Sequence, residues 1–127
     1  MHWAAVGALL LGLAVILGAF GAHALRGRLD ANAMSVYERA VFYHFVHALG
    51  LLFASILPRL EWLTPSAAGW VCGLLAAGIV IFSGSLYALA ISGVRGFGAI
   101  TPAGGLCFIA AWLLLAALLI RAASLRS

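Results

Sequence analysis

The chain has 127 residues, 66% of them hydrophobic and 8% charged, with a net charge of +4 from seven Arg against Asp30, Glu38 and Glu61. A water-soluble domain of this size needs far more polar surface to cover itself, so lipid must be the solvent for most of the molecule. The Arg residues are scattered between apolar runs and Lys is absent; that pattern reads as interfacial anchoring and excludes nucleic-acid binding, which needs a basic cluster.

The expected architecture is an all-α membrane protein, a four-transmembrane-helix bundle forming one domain over residues 1–127. The first apolar run predicts a helix over about residues 3–25. It is long enough to cross about 30 Å of hydrocarbon at 1.5 Å per residue. Only Met1 and His2 precede it and it is about 22 residues long, so it reads as a span and not as a signal peptide, whose apolar region is about 7–15 residues. Ala14, Gly18 and Ala22 recur every four residues, a stripe suited to close helix approach. Residues 26–35 are polar and read as a loop, closed by Ser35 and Glu38 as a capping box. The second helix is expected over about 36–57, stopped by Pro58. A connection over 58–66 contains Trp62, and Trp70 follows it, where membrane interfaces favour indole rings. The third helix is expected over about 67–92, with Gly69, Gly73 and Ala77 as its small stripe. After a glycine-rich turn, Thr101-Pro102 predicts an N-cap and first position for a fourth helix over about 101–120, with Ala103, Cys107 and Ala111 as its stripe. Cys72 and Cys107 both fall in apolar runs and read as small hydrophobes. Four Arg fall on one side of the membrane and three on the other, which sets no orientation.

Polar groups inside a membrane are costly, so each needs a reason. At 100° per residue, Tyr37, His44, His47, Leu51 and Ser55 share one face of the second helix. His23 ends the first helix on the same side of the membrane. The imidazoles support two readings: a metal, haem or proton site, or neutral rings that hydrogen-bond carbonyls and Tyr to lock helices together. No HExxH or Cys/His cluster is present, and the metal candidates are His23, His44 and His47. Ser83, Ser85 and Tyr87 place two hydroxyls and a phenol in the third helix. Counting crossings puts Tyr87 and Thr101 at the level of His23. The expected cluster is therefore His23, His47, Tyr87 and Thr101, with His44 at its edge. No base stands beside a Ser nucleophile and no phosphate loop occurs, so an enzyme is not expected.

Gly18-Ala19-Phe20-Gly21-Ala22-His23-Ala24, Tyr43-His44-Phe45-Val46-His47-Ala48-Leu49, Phe82-Ser83-Gly84-Ser85-Leu86-Tyr87 and Thr101-Pro102-Ala103-Gly104-Gly105 fall in order along the chain. Together they resemble the motifs of the YgdD-like family of small inner-membrane proteins, a domain-of-unknown-function family with relatives called transmembrane protein 256. The resemblance implies a multi-pass protein of the cell (inner) membrane and supplies no activity, cofactor or catalytic residue. The shared polar positions are His23, His47, Ser83, Ser85, Tyr87 and Thr101, with His44 a looser match.

The leading expectation is a homo-oligomer in the lipid bilayer that binds or passes a small polar solute or ion through a His-centred interior. The alternatives are a haem- or metal-binding accessory subunit of a larger membrane complex and a structural membrane factor.

Overall fold

In hydrocarbon no water is present to take a backbone N–H or C=O, so each apolar run must satisfy its peptide groups internally, as a helix. The computed structural model describes residues 2–127 and contains four such helices, Trp3–Leu25, Ala31–Leu60, Pro65–Ser92 and Gly96–Arg126. Each is long and apolar enough to cross a membrane. No β-strand occurs among the described residues.

Three helix starts differ from expectation, each for an identifiable reason. The Ser35–Glu38 capping box does not form. Asp30 caps the second helix instead, its Oδ1 accepting from the Ala33 amide at 2.7 Å. A carboxylate both bonds a free amide and faces the positive end of the helix dipole, so the helix starts at Ala31 and Ser35 lies within it. Glu38 faces out and pairs with Arg26 at 3.3 Å. The Thr-Pro start signal is used at Thr64-Pro65: Thr64 Oγ1 accepts from the Ala67 amide at 3.2 Å and Pro65 is the first helical residue. The second Thr-Pro pair is not a start. Gly93 takes a left-handed φ of 71° and its amide bonds the Leu89 carbonyl. The turn is therefore complete within a few residues, and the fourth helix begins at Gly96, with Pro102 inside it. Membrane helices tolerate an internal Pro better than soluble ones do, and the Thr101 hydroxyl beside it donates to the Phe97 carbonyl. Pro58 likewise tightens the second helix into a 3₁₀ turn over Leu57–Leu60 without stopping it.

The second and third helices form the inner pair. Their most apolar windows are 44% and 39% buried, against 17% and 22% for the first and fourth, which flank them. Ala48, Leu51, Ala54, Val71, Cys72, Leu75, Phe108, Ala111 and Leu115 make the core. Lipid tails are as apolar as these side chains, so close backbone approach must replace hydrophobic drive. Glycines opposite aromatic rings provide that approach. Gly21 faces Tyr37, Gly50 faces Trp112, Gly78 faces Phe108 and Gly104 faces Phe82.

The small stripes therefore run one or two positions away from those the sequence suggested. In the first helix the buried small residues are Gly7, Ala14 and Gly21, while Gly18 is half-buried and Ala22 exposed. A π-helical turn over Gly21–Leu25 rotates that end of the helix. In the fourth helix Gly104, Phe108, Ala111 and Leu115 face inward; Ala103 is exposed and Cys107 half-buried. Gly69 and Gly73 are half-buried and bed the indole of Trp3.

Close packing at these glycines gives a direct test. A β-carbon at Gly104 would overlap the Phe82 backbone, whereas one at Gly73 would meet the Trp3 ring at an ordinary 3.9 Å. Gly104→Ala is expected to destabilise the bundle by about 1–3 kcal/mol. Gly73→Ala is expected to change stability by no more than about 0.5 kcal/mol. Unfolding of both variants in mixed micelles measures the difference.

Candidate functional site

The polar side chains of the membrane interior sit mainly on the second and third helices, and most act across a helix boundary. Tyr37 projects toward the first helix, where Gly21 leaves room for its ring, and its hydroxyl donates to the Leu17 carbonyl. Ser83 is fully buried and donates to the Ala40 carbonyl of the second helix at 2.8 Å. A π-helical turn over Ile79–Ser83 precedes the Ser83-Gly84-Ser85 motif and sets the direction of both hydroxyls. Ser85 and Thr101 share a hydrogen bond of 2.6 Å between the third and fourth helices. Cys72 Sγ leans on the Leu51 carbonyl at 3.7 Å. These contacts tie the first helix to the second, the second to the third and the third to the fourth.

His44 and His47 share a helix face, yet their environments diverge. His47 Nδ1 bonds the Tyr43 carbonyl one turn back at 2.7 Å. Its ring stacks on Phe108 at a centroid distance of 3.5 Å and against Tyr43 at 5.6 Å. It is thus an aromatic packing element between the second and fourth helices. His44 points instead to the third helix, where its Nδ1 and the Tyr87 hydroxyl lie 3.0 Å apart. The Tyr87 ring meets Tyr37 edge-on at 5.2 Å, so Tyr37, Tyr87 and His44 form one continuous group.

His44 is 2% exposed, and its second nitrogen, Nε2, is buried without a hydrogen-bond partner among the described residues. The ring also approaches the Leu10 carbonyl of the first helix without completing a bond at Nε2. A ring nitrogen left unmatched in a low-dielectric interior carries a desolvation cost of about 1–3 kcal/mol. It is the one buried side-chain N or O of the described residues with that status.

The structure thus brings His44 and Tyr87 together and leaves the other predicted members apart. His23 is exposed at the end of the first helix, in the π-helical turn. That turn points residue 23 outward, so His23 does not join His47. Tyr87 is the middle member of the group, between Tyr37 and His44. Thr101 bonds Ser85 rather than either imidazole. Tyr37 was visible on the shared face but had no assigned partner; the signal that places it is Gly21 one helix away. Phe108 carried no polar signal at all. Among the described residues no group of three or more His, Cys, Asp or Glu side chains converges as a metal site would require.

Comparison with known proteins gives the chain a family. A UPF0382 membrane protein of Staphylococcus haemolyticus is 49% identical over 110 residues, covering 87% of this chain and 88% of that protein. The UPF0382 membrane protein YwdK of Bacillus subtilis is 46% identical over 105 residues, covering 81% and 83%. A UPF0382 membrane protein of Staphylococcus aureus strain bovine RF122 / ET3-1 is 42% identical over 110 residues, covering 87% and 88%. No solved structure matches the chain. The family model described as "Protein of unknown function (DUF423)" matches residues 17–105, which hold the Tyr37–Tyr87–His44 group, and this multi-pass membrane chain belongs to that family.

Proposed function

We propose that the bundle binds a small polar solute or ion at the His44–Tyr87 pair, within a His-centred interior. The observation that carries this reading is the unmatched Nε2 of His44. Tyr37, Ser83, Ser85 and Thr101 each bond another helix or one another, and His47 bonds a carbonyl of its own helix through Nδ1 while its ring packs on Phe108; they serve as structural staples. His44 keeps one nitrogen free after the staple to Tyr87 is made. A neutral imidazole offers there either an N–H donor or a lone pair, according to which nitrogen holds the proton. The divergence of His44 and His47 and the exposure of His23 give no support to the haem or metal alternative.

Placement in the cell (inner) membrane, as the likeness to the YgdD-like family implies, belongs to the same proposal. So does self-association. The outer face of the first helix carries Ala5, Ala8, Gly12 and Ala19, all exposed, and small residues are what membrane helices use to approach one another. A mass measurement in lipid nanodiscs is expected to show more than one copy per particle; a monomer at every concentration removes this part.

Two variants separate the structural staple from the site. Tyr87→Phe removes the partner of His44 Nδ1 and is expected to cost about 1–3 kcal/mol in micelle unfolding. His44→Leu removes both nitrogens at once but leaves the Tyr87 hydroxyl without its partner, so it is expected to cost a similar amount, and the same unfolding curve checks that it folds. In liposomes loaded with a pH-sensitive dye, the parent is expected to pass protons or ammonium at a measurable rate. His44→Leu is expected to lose at least about tenfold of that rate, the loss expected when a buried polar interaction is removed. Parent-level flux in a folded His44→Leu protein refutes the reading.

A further inference from the structure

A cleft lies away from the His44–Tyr87 pair, at the end of the bundle where the first helix begins, the second ends and the third begins. It holds about 440 Å³ and is lined by His2, Trp3, Ser55, Arg59, Pro65 and Ala68 among others. Its depth in the bilayer follows from these helix ends. Residues Trp3, Leu60 and Pro65 are the limits of three spans, so the cleft sits at headgroup level, with the hydrocarbon-facing surface directly beyond.

The chemistry of the lining has one sign. Its polar members other than Ser55 offer donors: the guanidinium of Arg59, the imidazole of His2 and the indole N–H of Trp3. The Ser55 hydroxyl is turned to its own helix, donating to the Leu52 carbonyl at 2.6 Å. No Asp or Glu lines the cleft. Arg59 has no salt-bridge partner among the described residues, where the one ion pair is Arg26–Glu38 at the opposite end. The opening turn of the third helix, from Pro65 to Ala68, also borders the space and turns the positive end of its dipole toward it. The remaining wall, Ala4, Ala5, Ile56 and Pro58, is apolar. A mostly apolar pocket with an unpaired guanidinium and no carboxylate, placed at the interface, matches an anion that carries its own apolar tail.

From this geometry we propose that the Arg59 cleft binds the phosphodiester headgroup of an anionic phospholipid, with Arg59 on the phosphate and the Ala5–Ile56 wall against the glycerol and upper acyl chain. Arg suits the role because its planar fork bonds two phosphate oxygens together. The Trp3 ring packs over Gly69 and Gly73, and its indole N–H is a second donor of the lining. A second Arg-bearing groove at the same end of the bundle, lined by Trp62, Thr64, Leu118 and Arg121, serves as the internal comparison.

Native mass spectrometry of the full chain released from micelles tests this with phosphatidylglycerol and phosphatidylcholine of matched acyl chains. One phosphatidylglycerol is expected to be retained per chain, with at least about tenfold preference over phosphatidylcholine, whose phosphodiester is the same but whose trimethylammonium brings a like charge beside the Arg59 guanidinium. Arg59→Gln is expected to remove that preference and Trp3→Phe to reduce it, while Arg121→Gln keeps it. Because Arg59 is exposed, its variant is expected to fold like the parent, which a micelle unfolding curve checks. Equal retention of the two lipids, or an unchanged preference in Arg59→Gln, overturns the proposal. Displacement of phosphatidylglycerol by millimolar inorganic phosphate, with binding of phosphate in phosphatidylcholine nanodiscs, also overturns it, by showing a site for the free anion.

Discussion

In a medium without water, a polar group has to find its partner inside the protein, and the fold of this chain follows from that single requirement. The backbone meets it by folding into four helices. The side chains meet it by bonding to carbonyls and hydroxyls of neighbouring helices: Tyr37 to Leu17, Ser83 to Ala40, Ser85 to Thr101 and His44 to Tyr87. In water such bonds would be exchanged for solvent at little net cost. In lipid each one also specifies which helix faces which, because the alternative is an unmatched group in hydrocarbon.

Packing supplies what hydrogen bonds alone do not. Hydrophobic residues cover the inside and the outside of this bundle alike; Leu9, Ile16, Trp70 and Leu106 are largely exposed. Apolarity therefore cannot decide the interfaces, and shape has to. The pairing of a glycine on one helix with an aromatic ring on another fixes both distance and register. A ring that fits only over Gly50 or Gly78 admits no slip of one turn. The same pairing places chemistry: Gly21 makes room for Tyr37, Tyr37 braces Tyr87, and Tyr87 holds His44.

The number of helices was legible because a run of some twenty apolar residues in a chain with 8% charge has one physical outcome. The caps were less so. Ser35–Glu38 and Asp30 are both competent N-caps, and choosing between them needs the length of chain left for the loop. The two Thr-Pro pairs are identical as sequence, and only the tight turn at Gly93 makes the second one internal. The site was half legible. Intramembrane His, Tyr and Ser identify themselves as polar groups that need partners. Their directions do not follow from a uniform 100° per residue, because π-helical turns at Gly21–Leu25 and Ile79–Ser83 each shift the phase. The turn at Gly21–Leu25 is why His23 faces out, although it ends the first helix on the side of the membrane from which it was expected to meet His47. His47 was read as polar when its ring does most of its work as an aromatic face on Phe108.

The arrangement also says where the interior can open. Among the described residues one interhelical hydrogen bond, Tyr37 to Leu17, joins the first helix to the rest of the bundle. That helix is also the least buried of the four. The unmatched His44 nitrogen lies on a ring that approaches this same helix near Leu10, about two turns from Leu17. Beside this interface, Gly18, Gly21, Val41 and Phe45 border a groove of about 310 Å³ that opens toward lipid. The second, third and fourth helices, by contrast, are interlocked by Ser83, Ser85, His47 and the Phe82–Phe108 contact. Three helices are thus fastened by several polar and aromatic contacts, and the first by one hydrogen bond together with the close packing of Gly7 and Gly21 on the second helix. Any opening of the interior on that side must exchange the Tyr37–Leu17 bond.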